Sequence, residues 1–426
     1  MVTAINVLSY LGVYISLFAS IFFFYTFFEN RRKEQVSEPK EWPSVTIAIP
    51  AWNAEKGLAK TVESLLQLDY PREKLQIMVV ENSNSTDKTL EIARSFESKG
   101  VEVYSTPEKG KGPAMNFALT KTTGELFGAL DADSVASPES LKRLVSYFTA
   151  DDIVAVTPTL KVQNAKTLLQ RIQQIEYLTG VFLRKVFDYL GSIHVTPGPM
   201  TLYKKAFFDR YGNYDPHNLT EDMEVALRIQ SNNLRIRNVI DANIYTSSPK
   251  GFFVLMRQRV RWYLGFIENM HRYRHLFSSK FGILARFILP MAFISIILAV
   301  FFSVYASYRL LLRLINYVPT LNAINFDVVT SIKSFTFNIM NYIPSFQTLL
   351  AIPLFFVAFG MIFLARRYSH DKSKINFFYI VYFIFYIYLF SFWWIATVLY
   401  KLFAPEFRWG GLIWKNSLLN QLLHKV

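Results

Sequence analysis

The sequence predicts a Rossmann-like α/β domain with a mostly parallel sheet, joined to an α-helical transmembrane region with amphipathic interface helices. Three observations lead there. From residue 45 to residue 157 short apolar runs alternate with helical patterns, the order expected of strands crossed over by helices. Residues 7–28, 287–307, 343–365 and 375–400 carry no charged side chain, and each segment approaches or exceeds the roughly 20 residues a helix needs to cross a hydrocarbon core. Finally, the apolar run at 126–130 ends in Asp131-Ala132-Asp133, two carboxylates at a strand end, where open α/β sheets bind ligands.

The chain of 426 residues has room for two or three domains. Apolar residues make up 52% and aromatics 16%, concentrated at the two ends. The first apolar segment lacks a basic start and a small-residue cleavage site, so residues 1–29 read as a retained anchor and not as a removed signal. Part of the net charge of +14 follows two of the spans, in Arg31-Arg32-Lys33 and in Arg366-Arg367 with Lys372 and Lys374. Such clusters stay on the cytosolic side, which orients the middle of the chain inward, at the cell membrane. The charges form no single stripe, so nucleic acid is not an expected partner; membrane lipids are. With no cysteine, disulfides, thiolate catalysis and cysteine-bound zinc are excluded. The six histidines form no HExxH metalloprotease pattern.

In chain order, 30–43 is a polar linker with two prolines. The α/β domain then covers 44–249. Its strands are expected at 45–49, 76–80, 101–104, 126–130 and 153–157, with helices at about 54–68 and 86–98. Gly110-Lys111-Gly112-Pro113 matches neither a P-loop nor a GxGxxG turn. Residues 168–190 suit a helix packed on the sheet or lying at the bilayer surface. The prolines of 194–200 break any helix, so a loop precedes a strand at 200–203. Thr220-Glu221-Asp222 opens a helix to about 232. Residues 250–280 hold a basic amphipathic segment suited to the headgroup region. The transmembrane region, 281–426, has about three spans near 285–307, 343–365 and 375–400; residues 308–317 are either a second interfacial helix or a continuation of the first of these.

Four stretches carry the chemistry. Pro50, Asn53 and Glu55 follow the first strand, with Asn53 also a plausible helix cap. After the second strand, Glu81 and Asn82 stand where polar groups could read a base or ribose, while Ser85, Thr86 and Asp87 suit capping of the next helix. Asp131 and Asp133 suit Mg²⁺ or Mn²⁺, which takes one or two carboxylates and completes its shell with phosphate oxygens and water. That chemistry points to a metal-bound nucleotide diphosphate. The fourth stretch begins at Thr220-Glu221-Asp222, where an acid also suits the helix dipole and Thr220 suits the cap. It ends at Gln258-Arg259-Val260-Arg261-Trp262. Transfer onto a hydroxyl needs a base; Arg259 and Arg261 bring charge for a leaving pyrophosphate, and Trp262 a flat face for a sugar.

These motifs, Asp131-Ala132-Asp133, Thr220-Glu221-Asp222 and Gln258 to Trp262, resemble in order and approximate separation the DxD, TED and QxxRW signatures of membrane-bound family 2 glycosyltransferases. That group includes the processive synthases of cellulose, hyaluronan, chitin and poly-N-acetylglucosamine; ceramide glucosyltransferase, which adds one sugar, is similar. The resemblance implies a GT-A fold, a nucleotide-sugar donor, most often UDP-linked, a divalent cation and inversion at the anomeric carbon. It implies that Asp131 contacts the nucleotide, Asp133 the metal, and that Asp222, beside Glu221, is the base. Gln258, Arg261 and Trp262 would close over diphosphate and acceptor. Lys111 to Asn116 looks like the family's stretch near the nucleotide, and the loop with Gly198 and Pro199 resembles its acceptor side, with Thr220 nearby. Two features depart from the pattern: Glu81-Asn82 replaces an Asp pair found in many relatives, and the spans are fewer than in cellulose or hyaluronan synthases. The expected reaction moves a hexose or N-acetylhexosamine to a growing polysaccharide that leaves through the spans. The rival is a single transfer to a membrane lipid, a glycolipid or polyprenyl phosphate.

Overall fold

The computed structural model describes residues 4–323 apart from 33, 35 and 84, and then 346–403, 406–409 and 412–415. Helix α1 (Ala4–Arg31) leads to the α/β domain, which opens with β1 (Val45–Ala51), α2 (Leu58–Leu66), β2 (Leu75–Asn82), α3 (Thr89–Arg94) and β3 (Glu102–Thr106). It continues with α4 (Lys111–Lys121), β4 (Leu126–Ala129), β5 (Ser134–Ala136), α5 (Ser140–Val145), β6 (Ile153–Val162) and α6 (Leu168–Tyr189). Then come β7 (Leu202–Lys204), α7 (Lys205–Tyr211), α8 (Glu221–Ser231), β8 (Arg235–Thr246) and α9 (Phe252–Arg272). The chain ends, among the described residues, with α10 (Leu289–Ala323), α11 (Phe346–Tyr368), α12 (Phe378–Phe403) and a hairpin of β9 (Glu406–Trp409) and β10 (Leu412–Lys415).

The eight-stranded sheet runs β3-β2-β1-β4-β7-β6-β8-β5. Pairing is parallel from β3 through β4 and between β6 and β8, and antiparallel where β7 and β5 join. Parallel strands are covered on both faces and so read as apolar runs. Along β1, Ile47 and Ile49 join one core with Leu58, Leu65, Ile77 and Val79, while Ala48 faces the other with Met78, Val80, Phe127 and Val225. Thr46 is fully buried in β1, and its hydroxyl donates to Gln76 Oε1 at 2.7 Å. The strand order reverses between β1 and β4, so the loops after both strands open into one crevice, the usual ligand position in such sheets.

Strand β8 is absent from the sequence-based reading, although its alternating burial marks a strand with one face in the core. Helix α2 starts at Leu58 behind an N-cap at Gly57, so Asn53 does not cap it. A Cβ on Gly57 would lie 2.6 Å from the Ala132 carbonyl oxygen; the missing side chain lets α2 pack against the Asp-Ala-Asp loop.

Among the described residues three helices are long and apolar enough to cross a membrane: Ala4–Arg31, Leu284–Ala323, which includes a π turn at Leu284–Ile288, and Phe378–Phe403. Residues 308–317 therefore continue the second span. Helix α11 packs on α1 and α6, and the first residues expected for that span, 343–345, lie outside the described residues. The linker is tied down at Glu34. Its carboxylate accepts from Lys185 at 2.5 Å, from Tyr189 at 2.8 Å and from Arg237 at 3.3 Å, and Lys185 also meets Asp188 at 2.9 Å. Burial works against the Glu34 charge, but Lys185, Tyr189 and Arg237 hold its carboxyl below the ordinary range.

Candidate active site

The crevice beyond β1 and β4 holds a cavity of roughly 400 Å³ lined by Pro50, Trp52, Asn53, Asn82, Lys111, Asp131 and Asp133 among others. Lys111 organises it. The ammonium, at the first turn of α4, pairs with Asp131 and lies 3.8 Å from Glu221 at the start of α8. Burial opposes its charge, yet Asp131, Glu221 and Asp222 together hold the ammonium above its usual range. The acidic pair after β4 and the acids opening α8, about ninety positions apart in the chain, thus share one cation. Gly198 is where the expected acceptor loop approaches: an added Cβ would sit 2.7 Å from Lys111 Nζ. Pro199 is buried beside it.

Asp133 accepts a hydrogen bond from Ser247 at the end of β8. Burial pushes its carboxyl up and so does the Asp131 charge, against the Ser247 bond. Two carboxylates held close together at an enclosed strand end fit a small divalent ion completed by phosphate and water, and this donor set needs no third side chain. Among the described residues no group of three or more His, Cys, Asp or Glu could hold a metal.

Asp222 is raised to about 6, first by burial and then by Glu221, while Arg261 and Lys111 act in the opposite sense. Its backbone is fixed: the Thr196 hydroxyl donates to the Asp222 carbonyl at 2.7 Å, and Tyr203 donates to Thr196 at 2.8 Å. One carboxylate oxygen accepts from Met223 N–H at 2.8 Å. A carboxylate so placed is a base poised near neutral pH. Arg261 reaches across from α9 and donates to the Leu219 carbonyl at 2.6 Å, which sets its charge beside the start of α8. Among the described residues Gln258 Oε1 is buried without a hydrogen-bond partner, an acceptor that a ligand donor would satisfy.

Several expected site residues are engaged elsewhere. Arg259 is 3% exposed, pairs with Glu176 at 2.7 Å and lies 4.3 Å from the centre of the Trp262 ring; its charge is satisfied inside the α6–α9 contact and not in the cavity. Both ends of the Asn116 amide bond the Tyr214 backbone at 2.9 Å. Glu81 is buried and accepts from Ser105 at 2.8 Å, leaving Asn82 as the member of that pair on the cavity wall. Glu55 accepts from Lys88 N–H at 3.4 Å. Asn53, in the left-handed region at φ 47°, accepts from Thr86 N–H at 2.8 Å, which clasps the loops after β1 and β2 together. The N-cap of α3 is Lys88, with no side-chain cap bond, and not Ser85, Thr86 or Asp87; Asp87, one residue earlier, accepts from Thr89 N–H at 3.0 Å. Thr220 holds the N-cap position of α8 but makes no side-chain cap bond; its hydroxyl accepts from Asn269 at 3.0 Å.

Residues unforeseen from sequence include Ser247, which steadies Asp133, and Trp52, 49% exposed at the cavity rim. Arg184 on α6 is a third, close enough to Asp222 for its charge to act there. Trp52 stands directly before Asn53, and an aromatic at a strand end was a readable signal. Nothing in the sequence marks Ser247 or Arg184.

An α/β crevice with paired acids at one strand end, a shared lysine and a raised carboxylate on the facing helix is the architecture of a GT-A glycosyltransferase. Residues 43–265 match the family described as glycosyltransferase like family 2, and the chain belongs to that family. It is 30% identical to a probable glycosyltransferase, YdaM, of Bacillus subtilis over 250 residues, 57% of this chain and 59% of that one. Against a poly-β-1,6-N-acetyl-D-glucosamine synthase of Staphylococcus epidermidis it is 26% identical over 276 residues, 63% of this chain and 66% of that one. The match therefore spans 59–66% of the length of these relatives. Among solved structures, the mannosyltransferase PcManGT from Pyrobaculum calidifontis, in complex with GDP-Man and Mn²⁺, aligns with a TM-score of 0.56 at 16% identity, covering 92% of this chain and 97% of that one. This last likeness is one of fold.

Proposed function

We propose that the chain is a membrane-bound, inverting glycosyltransferase that moves a hexose or N-acetylhexosamine from a nucleotide-diphosphate sugar, UDP-linked, to the hydroxyl end of a growing polysaccharide, which leaves through the spans. The observation that carries the reading is the Lys111 bridge from Asp131 to Glu221, which brings the acidic pair beside the raised carboxylate of Asp222. In the reaction the acceptor oxygen attacks the anomeric carbon as the bond to the diphosphate breaks. The proton passes to Asp222 and the electron pair leaves with the nucleoside diphosphate. Asn53, Asn82, Pro50 and Asp131 bind the donor, Asp133 with Asp131 would hold Mg²⁺ or Mn²⁺, and Lys111, Arg261 and Gln258 attend the diphosphate. A divalent cation supplies, when bound, further charge against that leaving group; preorganised charge of this kind is often the largest catalytic contribution. Trp262, Thr220, Gly198 and Pro199 form the acceptor side.

Residues 44–249 act as the catalytic domain, 250–280 as the interface segment and 1–29 with 281–426 as the membrane part, with the catalytic domain cytosolic. The orientation is supported by Arg31, whose guanidinium lies 5.1 Å from the ring centre of Tyr368 beside Arg366 and Arg367. Both basic clusters thus share one end of the bundle, the end that stays inside. The relative from Staphylococcus epidermidis, named for polymer synthesis, supports the polymer form. A second reading, one transfer to a membrane lipid, is favoured by a mostly apolar cavity of roughly 740 Å³ lined by residues of α1, α10, α11 and α12, Val13, Leu298 and Phe302 among them.

The test is a screen of nucleotide-sugar donors with purified membranes, run after chelation and with Mg²⁺ and Mn²⁺ restored separately, and the labelled product sized. Transfer should vanish on chelation and return with one of the ions. A ladder or polymer upholds elongation, a single lipid-extractable species upholds the second reading, and transfer from no donor overturns both.

A further inference from the structure

The segment where β8 ends and α9 has not yet begun is held at three backbone carbonyls. The Thr246 carbonyl accepts from Gln163 N–H at 2.8 Å. The Ser248 carbonyl accepts from Gln170 Nε2 and the Pro249 carbonyl from Gln173 Nε2, each at 2.9 Å. Both glutamines belong to α6, and they are 4% and 1% exposed. Gln170 is fixed before it reaches the segment: it closes a capping box with Thr167, its Oε1 accepting from Thr167 N–H at 3.3 Å. Helix α6 is anchored in turn, since Ile172, Ile175 and Phe182 share a core with Phe27 of α1 and Ile362 of α11.

Gln173 carries a cost. Among the described residues its Oε1 is buried without a hydrogen-bond partner, and an orphaned acceptor opposes folding. A leucine would fill the same space without that cost. Within its own helix the Gln173 amide donates to the Leu169 carbonyl at 3.1 Å; its bond to another element is the one to Pro249.

Between the held carbonyls lies Ser247, whose hydroxyl donates to Asp133 Oδ2. Strands β5 and β8 pair Ser134 with Thr246, so Asp133 and Ser247 are the next neighbours across the two strands. Asp133 Oδ1 has a longer partner, the Ser134 hydroxyl at 3.4 Å. An ionised carboxylate offers about four acceptor positions. Ser247 occupies one, which sets how the carboxylate is turned and leaves others for a cation. With two carboxylates as the ion's protein ligands, the attitude of each matters.

We propose that Gln170 and Gln173 are positioning residues for the ion site: by holding residues 246–249 to α6 they keep the Ser247 hydroxyl on Asp133, and so fix that carboxylate for Mg²⁺ or Mn²⁺. The inference rests on the cation of the transferase reading and names the residues, away from the cavity lining, that set its affinity.

Mn²⁺ is titrated into the full-length protein in phosphatidylcholine nanodiscs, and the free ion is read by electron paramagnetic resonance. Hydrogen bonds that orient a metal ligand are worth about 10–100-fold in metal affinity. Ser247→Ala should raise the Mn²⁺ Kd by about that factor, and Gln173→Leu by about tenfold, the lower end of the range. Ser247→Thr, which keeps the hydroxyl, should bind Mn²⁺ as the wild type does. Because the two residues act along one path, adding Gln173→Leu to Ser247→Ala should weaken Mn²⁺ no further. An unchanged Kd in Ser247→Ala would overturn the proposal, as would a Gln173→Leu effect that persists in full in the Ser247→Ala background, the mark of a merely structural role. The Ser247 pair decides even if Gln173→Leu misfolds. Asp133→Asn separates the two readings. If the wild type binds Mn²⁺ and Asp133→Asn does not, an unchanged Ser247→Ala defeats the positioning role alone. Equal binding by wild type and Asp133→Asn, or binding by neither, defeats the cation of the transferase reading and the positioning role with it.

Discussion

Asp222 is the base of the proposed reaction, and its environment predicts a specific pH dependence. Burial and Glu221 raise it to about 6 against Arg261 and Lys111, with Arg184 facing it from α6. A base must be deprotonated to act, so kcat/KM should fall as pH drops through about 6 and level off above it; a profile flat from pH 5 to 8 would contradict the assignment. Arg261→Ala removes a cation that favours the carboxylate, so the inflection should move upward. Lys111 is a different kind of residue. Replacing it with Met leaves Asp131 and Glu221 without their shared cation, and donor KM should rise by about tenfold or more, which corresponds to about 1.4 kcal/mol. Isothermal titration with the nucleoside diphosphate measures that loss without relying on turnover. The same scale explains what sequence could not give. A motif lists Arg259 and Arg261 as equals, but two positions apart on a helix they face different neighbours, and only folding decides that one meets Glu176 and the other the start of α8.

At the level of elements, the contact between α8 and α9 positions Asp222 against Arg261. It depends on Gly265, where an added Cβ would collide with the Thr220 side chain. Gly265→Ala should push the helices apart, lower thermal stability by about 1–3 kcal/mol as overpacking does, and reduce turnover more than donor binding. A melting curve and a KM-against-kcat comparison read both effects. Most of this scaffold was legible. Strands β1, β2 and β4 announce themselves as apolar runs because both faces are covered, and the acids after β4 follow from the strand end. The longest strand, β8, was missed even though its alternation was present, because it lies between stretches read for chemistry and begins with Arg235 and Arg237. Asn53 and Asn116 were readable as polar groups near a crevice, but their partners, Thr86 and Tyr214, lie far away in the chain. Local pattern does not say which backbone group a distant loop will offer.

Across the whole molecule, the α/β domain is fastened to the long apolar helices by charge. Glu34 after α1 meets Lys185 and Arg237, and Lys161, pulled down to about 8 by burial, donates to the Ser369 carbonyl after α11 at 2.6 Å. Glu34→Gln removes one of the two carboxylates that balance the fully buried Lys185. Breaking a buried pair costs about 3–5 kcal/mol, and retention of Asp188 places the expected loss at the lower end, visible as a lower melting temperature with the donor affinity unchanged. This fastening fixes the α/β domain against the long apolar helices. The most direct test of the account compares the wild-type protein with Asp222→Asn, measuring sugar transfer from a radiolabelled nucleotide-sugar donor alongside nucleotide binding. The account predicts a fall in transfer of about 10²–10⁴-fold, the usual worth of a positioned base, with nucleotide affinity nearly unchanged; near-normal transfer by the variant would contradict it.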